Sequence, residues 1–321
     1  MKSQITAILF SALLLHSCVP GETPVPMHEA GDMTTSSVAM GSDYSWQIYF
    51  DLKTNTVAGK NLNHIWDLGL EASPGGYHVI LNNARMMTAY RTDKTDPATV
   101  TISDTAGRMR FDSPSGSLDS TAVGDWRDQH VYIINRGSHN GVSLGYRKIR
   151  LESVDDKQYI FRFSAMDGSG EQTITLDKDD NYNFVFLSLE NGAQVSVEPP
   201  KADWDIVFSQ YTHIYYDMDN TPYTVTGCLL NRYQTTVVMD TATAFSAIGF
   251  ENLAGYHFSK DINTIGFDWK AYSFDNGTYT TDPRKSYIIY TSKGLYYKLH
   301  FIDFINNAGE KGNPKWEYQQ L

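Results

Sequence analysis

Two short segments of the chain share the same alternation of apolar and polar residues. The first is WDLGL at residues 66–70, and the second is WDIVF at residues 204–208. Because successive side chains of a β-strand point to opposite faces, we expect Trp204, Ile206 and Phe208 to line a core while the intervening residues face the other way. The repetition predicts two similar modules.

The strands around these two segments repeat in the same order. Each module runs from an aromatic strand through a turn that contains Gly, Asn or Pro into the Trp-Asp strand, and it ends in an alternating hairpin. The predicted strands are 44–52, 77–81, 132–134, 146–151 and 159–163 in the first module, and 183–189, 211–216, 287–289, 296–301 and 315–318 in the second. We predict an all-β protein of two tandem antiparallel β modules, at residues 43–176 and 177–321. His78 and His213 fall in matching predicted strands and are interpreted as structural residues.

The N-terminal residues have the pattern of an export signal. A lysine precedes an apolar run, residues 5–15, that is too short to span a bilayer but has the length of a signal-peptide core. The sequence LHSC at residues 15–18 resembles a bacterial lipobox. We predict a signal peptide at residues 1–17, lipidation of Cys18, and a flexible tether at residues 18–42, since Pro, Gly, Thr and Ser are frequent there. The alternative is an ordinary secretory signal with an incidental cysteine.

Composition supports strands and narrows the range of partners. Aromatic residues make up 13% of the 321 residues and charged residues 20%, which favours strands over helices. There are 26 Lys and Arg residues against 37 acidic residues, and no basic cluster is strong enough to follow a phosphate backbone. The sequence therefore argues against a nucleic-acid partner. Since Cys18 lies in the processing signal, Cys228 is left without a disulfide partner.

Several motifs resemble the HmuY family of haem-binding lipoproteins of Gram-negative bacteria. The residues that carry the resemblance are the lipobox at Cys18, WDIVF at 204–208, IGFDW at 265–269, the segments 286–289 and 297–301, and KGNPKWEY at 311–318. The resemblance implies an all-β protein that holds haem between loops at one end and passes it to an outer-membrane receptor. It also implies an outer-membrane lipoprotein, at the periplasmic face or the cell surface, with a lipid anchor as its only membrane attachment.

The resemblance transfers the iron ligands less well than the fold. Family members use His or Met as axial ligands, but one ligand position falls close to Phe274, and phenylalanine cannot bind iron. The other position falls between Met239 and His257. Haem iron needs an imidazole, thioether or phenolate donor beside an apolar slot, so His257, Met239 and Tyr272 are the haem-binding candidates. A structural role is the alternative for each. Apart from haem iron no metal is expected, since no short motif carries two histidines.

We therefore interpret the chain as a membrane-anchored lipoprotein that binds a small ligand, with haem as the first candidate cofactor. The alternative is a cell-surface interaction or structural lipoprotein that binds a glycan or a protein without haem. The sequence contains no Gly-x-Ser-x-Gly elbow, no His-Glu-x-x-His motif and no phosphate-binding glycine loop. No enzyme is expected.

Overall fold

The computed structural model describes residues 29–321, which form an all-β protein, as expected from the sequence. The predicted signal peptide and Cys18 lie outside these residues. The strands are β1 (Thr34–Ser37), β2 (Trp46–Asp51), β3 (Thr56–Leu62), β4 (Leu68–Glu71), β5 (Val79–Leu81), β6 (Thr88–Arg91), β7 (Met109–Arg110), β8 (Tyr132–Asn135), β9 (Ser138–His139), β10 (Val142–Ser143), β11 (Tyr146–Val154), β12 (Gln158–Ser164), β13 (Gln172–Asp177), β14 (Phe184–Ser188), β15 (Ala193–Val195), β16 (Ile206–Tyr215), β17 (Thr221–Leu230), β18 (Thr236–Asp240), β19 (Lys270–Ser273), β20 (Thr278–Thr281), β21 (Ser286–Tyr290), β22 (Tyr296–Ile305) and β23 (Lys311–Gln320). Short 3-10 helices occur at Asn83–Arg85, Pro97–Thr99, Ile102–Thr105, Leu118–Ser120, Trp126–Asp128, Phe245–Ala247 and Phe250–Gly255. None of the helices in this part of the chain is long and apolar enough to cross a membrane.

Four antiparallel sheets stack on one another in the order I, II, III and IV. Their strand orders are β13-β12-β11-β8-β6-β7 in sheet I, β15-β14-β4-β5 in sheet II, β17-β16-β2-β3 in sheet III, and β1-β23-β22-β21-β18 in sheet IV. One apolar cluster joins sheets I and II, a second joins sheets III and IV, and a third, rich in aromatic rings, joins the inner sheets II and III. We call this third cluster the central layer.

The two predicted modules exchange their opening hairpins. Strand β2 of the first module pairs with β16 of the second, and β14 of the second module pairs with β4 of the first. Sheets I and II therefore consist of residues 68–195, whereas sheets III and IV combine residues 34–62 with residues 206–320. The module boundary at residue 177 stays a prediction from the sequence repeat. Sheets II, III and IV each contain strands from both sides of it.

Buried lysines lie at corresponding positions in the two closing hairpins. Lys148 in β11 donates from Nζ to the carbonyl oxygen of Pro97 at 2.8 Å, and Lys298 in β22 donates to that of Ile248 at 2.8 Å. Both side chains are buried, and each bond fixes a 3-10 segment on the outer face of its sheet. Each closing hairpin therefore carries a buried lysine at the corresponding position of its second strand.

Three local expectations from the sequence are wrong. Trp204 packs in the central layer, whereas Ile206 and Phe208 face the cluster between sheets III and IV, because Trp204 precedes the first residue of β16 and the alternation does not extend to it. His213 continues β16, so it does not correspond to His78, which precedes β5. The predicted tether is also too long. Residues 34–37 form β1, which pairs with β23 at the edge of sheet IV.

The aspartates of the two Trp-Asp segments are fully buried and hold the exchanged hairpins. Asp67 Oδ2 accepts a hydrogen bond from the backbone N–H of Leu189 at 2.7 Å, directly beyond β14. Asp205 Oδ2 accepts the corresponding bond from Leu52 at 2.8 Å, directly beyond β2. A buried carboxylate that accepts a backbone bond loses free energy if the strand moves away. Each aspartate therefore fastens a hairpin that comes from the other module.

The two aspartates differ in their counter-charges. Asp67 contacts two buried arginines, Arg85 and Arg136, the latter from Nε at 2.9 Å. Asp205 has only Lys293 nearby, at 3.7 Å, and that lysine is bound more closely by Asp51. Burial raises the pKa of Asp205 to about 6, while the bond from Leu52 and the charge of Lys293 act in the opposite direction. The negative charge of ionised Asp205 is therefore only weakly balanced by positive charge.

Asp67→Asn and Asp205→Asn form a matched pair that tests this difference. At pH 8 we expect Asp67→Asn to lower the free energy of unfolding by about 3–5 kcal/mol, because Arg85 loses its buried counter-charge. Asp205→Asn keeps an oxygen acceptor for Leu52 and removes a carboxylate whose ionisation disfavours the fold above pH 6, so we expect a loss of no more than about 1 kcal/mol. Urea unfolding measures both values. Equal losses would contradict the assignment of counter-charges.

Glu198 is a further buried carboxyl, beside the central layer. Its Oε1 accepts the backbone N–H groups of Asn183 at 2.7 Å and Phe184 at 2.8 Å. Burial raises its pKa from 4.5 to about 7, although these bonds act in the opposite direction. The folded state therefore binds more protons at this site than the unfolded state between these two pH values.

The stability of the protein relative to Glu198→Gln is expected to fall as the pH rises from about 4.5 to about 7. The reason is that the wild-type chain must ionise a buried carboxyl in this range, whereas the amide cannot. The slope contributed by one group is at most about 1.4 kcal/mol per pH unit. Urea unfolding of both proteins at pH 5, 6, 7 and 8 measures the difference, and parallel pH profiles would contradict the shifted pKa.

Candidate functional site

Beside β16 and β18, the loop at residues 261–268 borders a groove of about 210 Å³. The groove contains an imidazole and a thioether with aromatic side chains around them. The lining residues are Tyr211, His213, Met239, Asn263, Thr264, Gly266, Phe267 and Asp268.

The IGFDW motif at residues 265–269 positions this loop. Ile265 and Trp269 are buried in the cluster between sheets III and IV, and the Trp269 ring stacks on Phe301 with centroids 3.9 Å apart. Phe267 lies between these anchors and reaches the groove. The motif therefore fixes both ends of a short turn and leaves its central ring at the groove.

Two glycines allow the loop to approach β17 closely. Gly266 exchanges two backbone hydrogen bonds with Cys228, at 2.9 and 3.0 Å, and has a φ of +65° that favours glycine. A Cβ at Gly227 would lie 2.3 Å from the carbonyl oxygen of Gly266. No side chain can be added at Gly227 unless the loop moves away from the strand.

His213 is the nitrogen donor of the groove. Its ring centroid lies 5.0 Å from that of Phe267 and 4.8 Å from that of Tyr215. Within residues 29–321 the imidazole makes no hydrogen bond, and Nδ1 is buried. Burial lowers the pKa of His213, against the opposite effect of Asp268 and Asp217. The ring is therefore neutral at neutral pH, which is the form that binds a metal.

Met239 is the sulfur donor of the groove and the one sequence candidate that lines it. It lies in β18 opposite Tyr287, and 41% of its surface is exposed. A thioether at the mouth of a groove is accessible to a ligand without rearrangement of the core. The structure places this sequence candidate at the groove, and its role in binding haem stays a prediction.

The other two sequence candidates lie elsewhere. His257 is exposed and follows the last 3-10 helix, and a bridge between Val237 and Ser259 brings its segment alongside β18. Tyr272 lies in the β19–β20 hairpin and lines a separate groove with Tyr279. Neither residue lines the groove that holds Met239, so the structure does not bring the three candidates together.

Sequence reasoning missed His213 because it matched this residue with His78 and assigned both to the scaffold. A signal was present, since the alternation in β16 places a histidine between Tyr211 and Tyr215 on one face of the strand. Alternation identifies the face but not the loop that covers it. The neighbouring Phe267 is 54 residues away in sequence, and only the folded chain brings it to His213.

Among residues 29–321, no group of three or more His, Cys, Asp and Glu side chains is arranged to hold a metal ion. The thiol of Cys228 is buried, and burial raises its pKa. The donors of the groove, an imidazole and a thioether, are both kinds that proteins use as axial ligands of haem iron.

Comparison with known proteins gives one family. Residues 180–318 match the model of the HmuY protein family, which confirms the resemblance seen in the sequence. No curated protein matches the chain.

Three solved structures illustrate the similar proteins. Apo PinO from Porphyromonas gingivitis has a TM-score of 0.34 at 9% identity, over 90% of this chain and 97% of that one. The apo HmuY analogue TFO from Tannerella forsythia has a TM-score of 0.25 at 10% identity, over 92% and 99%. A protein from Bacteroides vulgatus described as a HmuY-like heme-binding protein has a TM-score of 0.23 at 11% identity, over 89% and 90%.

Gly227→Ala tests how the loop is held. We expect it to lower the free energy of unfolding by about 1–3 kcal/mol, because the added methyl group overlaps the backbone of Gly266. Gly255→Ala is the matched control, since a Cβ there meets no atom within 4 Å and the backbone has no positive φ. Thermal and urea unfolding measure both changes. Equal stability of the two variants would contradict the close approach of loop and strand.

Proposed function

We propose that this chain, whose residues 180–318 match the HmuY family, is a haem-binding protein with His213 and Met239 as the axial ligands of the iron. The observation that supports this proposal is the groove itself. An imidazole without a hydrogen bond and an exposed thioether line it together, beside the ring of Phe267.

The residues present fit haem in their chemistry. The lowered pKa of His213 keeps a lone pair free for iron, and Phe267 and Tyr215 offer apolar ring faces to a flat macrocycle. When bound, haem would supply an iron that His213 and Met239 would hold through imidazole nitrogen and thioether sulfur.

The groove holds only part of a haem. Its volume of about 210 Å³ is below the roughly 300 Å³ at which pockets for drug-sized ligands begin. Large side chains on the neighbouring β16–β17 hairpin are exposed, namely Tyr216 (67%), Met218 (59%) and Tyr223 (60%). These side chains would hold the part of the haem that the groove cannot accommodate. Partial exposure suits a protein that gives up its ligand to a partner.

The wider role that we propose is haem capture and transfer at the cell envelope, without catalysis. The HmuY match and the export pattern support it, with Cys18 as the lipidated residue and an outer-membrane receptor as the recipient. The lipid anchor, the leaflet and the receptor are part of the proposal. β1 lies at the edge of sheet IV, and the proposed tether would precede this strand.

Titration of haem into the chain from residue 19 onward tests the ligands. We expect a saturable Soret shift with one haem per chain. His213→Ala and Met239→Ala should each weaken haem binding at least about ten-fold and change the position of the Soret band, because each removes one axial donor. Absorption spectra under oxidising and reducing conditions provide the measurement.

His257→Ala and Tyr272→Phe are the matched controls, since both residues lie outside the groove. We expect both variants to bind haem as the wild-type chain does. Loss of the Soret shift in either control, with normal binding in His213→Ala, would move the site back to the sequence candidates. The absence of any spectral change in the wild-type chain would reject haem binding and favour a non-haem interaction protein.

A further inference from the structure

A second cavity lies between the two inner sheets, away from the groove at His213. Its interior has a volume of about 100 Å³ and is lined mainly by aromatic and aliphatic side chains of the central layer, among them Tyr49, Phe186 and Trp204. A wider cleft of about 410 Å³ adjoins it. Asn183, Phe184 and Arg232 line both the interior and the cleft, so the two are neighbours across these side chains.

The indole N–H of Trp204 is buried at this cavity without an acceptor. Trp204 is only 4% exposed, and Nε1 has no hydrogen-bond partner among residues 29–321. The corresponding Trp66 donates from Nε1 to Gln47 Oε1 at 3.1 Å. A buried N–H without a partner costs about 1–3 kcal/mol, so it calls for an explanation.

A single difference between the two modules explains the missing acceptor. Tyr49 pairs with Val207 in sheet III as Phe186 pairs with Gly69 in sheet II, so Gln47, two residues before Tyr49, corresponds to Phe184. The first module thus offers an amide oxygen where the second offers a phenyl ring. The indole N–H of Trp66 therefore has an acceptor, whereas that of Trp204 has none among residues 29–321.

Arg232 supplies a cation at the junction of the interior and the cleft. Its guanidinium lies 5.4 Å from the ring centroid of Phe184 and donates to the carbonyl oxygen of Gly116. No carboxylate of residues 29–321 lies within ion-pair distance of it. Burial lowers the pKa of Arg232, against the more distant charges of Asp112, Glu198 and Glu71.

We propose that this cavity binds a small organic carboxylate with an apolar body. The carboxylate would accept hydrogen bonds from Arg232 and from Trp204 Nε1, and the apolar body would occupy the ring-lined interior. A guanidinium offers two parallel N–H groups that match a carboxylate, and such charge-assisted bonds are stronger than neutral ones.

The shape and charge of the cavity limit the ligand. An apolar cavity of about 150 Å³ holds a benzene molecule, and the interior has only about 100 Å³, so it takes a short alkyl chain or part of one ring while the rest of the ligand lies in the cleft. Lys201 and Lys260 add positive charge to the lining of the outer cleft, and Glu71, the carboxylate in the same lining, contacts His78 Nδ1 at 2.6 Å. Glu198, the one carboxylate at the interior, already accepts bonds from Asn183 and Phe184. The cavity is too small for haem, so this site is independent of the proposed haem site.

Isothermal titration calorimetry with benzoate, 3-phenylpropionate and octanoate tests the proposal on the chain from residue 19 onward. We expect saturable binding of at least one carboxylate and no binding of benzamide or 3-phenylpropionamide, which lack the charge. Arg232→Gln should weaken binding at least about ten-fold, because it removes the cation. Trp204→Phe should weaken it about three- to ten-fold, because it removes one donor and keeps most of the ring surface.

Matched controls separate the site from general effects of substitution. Trp316→Phe also removes a buried indole N–H without an acceptor, but Trp316 lies in the cluster between sheets III and IV and lines neither part of the cavity. Arg284→Gln removes an exposed arginine paired with Asp282. We expect both controls to bind the carboxylate within about two-fold of the wild-type affinity.

The proposal is overturned if no carboxylate binds, if the amides bind equally well, or if Arg232→Gln and Trp204→Phe leave the affinity unchanged. Should Arg232→Gln not fold, Trp204→Phe alone decides the matter. Haem titration of Trp204→Phe keeps the two proposals apart. An unchanged Soret shift supports separate sites, whereas its loss would contradict the independence of the cavity.

Discussion

The fold depends on two buried carboxylates that each hold a strand from the other half of the chain. Asp67 fastens the segment after β14, and Asp205 fastens the segment after β2. These bonds reinforce the strand pairing that joins β2 to β16 and β14 to β4. The central layer exists because both exchanged hairpins are in place. The exchange therefore makes one four-layered body out of a chain that reads as two repeats.

The repeat is retained in the scaffold and lost at the sites. Lys148 and Lys298 fix equivalent outer segments, and Trp66 and Trp204 pack edge-on against Phe186 and Tyr49 at the same centroid distance of 4.9 Å. The side chains differ between the two modules at positions where packing does not require the same residue. Such positions can change without cost to the shared core, because a hydrogen-bond partner at a cavity contributes less to stability than a well-packed ring.

The candidate haem groove and the cavity between the inner sheets lie in different parts of the structure. The groove is formed by a loop that two glycines hold against β17, so its shape depends on a few backbone contacts. The cavity is enclosed by strands from both modules, so its shape depends on the hairpin exchange. An interior between strands and a loop-bordered groove suit two different ligands, a small one and a larger one that is partly exposed.

The sequence by itself predicted the all-β class, most of the strands and the repeated order of strands. It also selected Met239 as a candidate ligand. Alternating apolar positions report which residues are buried, and burial is a property of each strand alone. Only the tertiary structure decided which strands pair, because β2 and β14 carry similar aromatic patterns and either could have paired within its own module. The same limit hid His213 and Trp204. What distinguishes them is the identity of their neighbours across the fold, Phe267 for one and Phe184 in place of a glutamine for the other, and local alternation carries no information about such contacts.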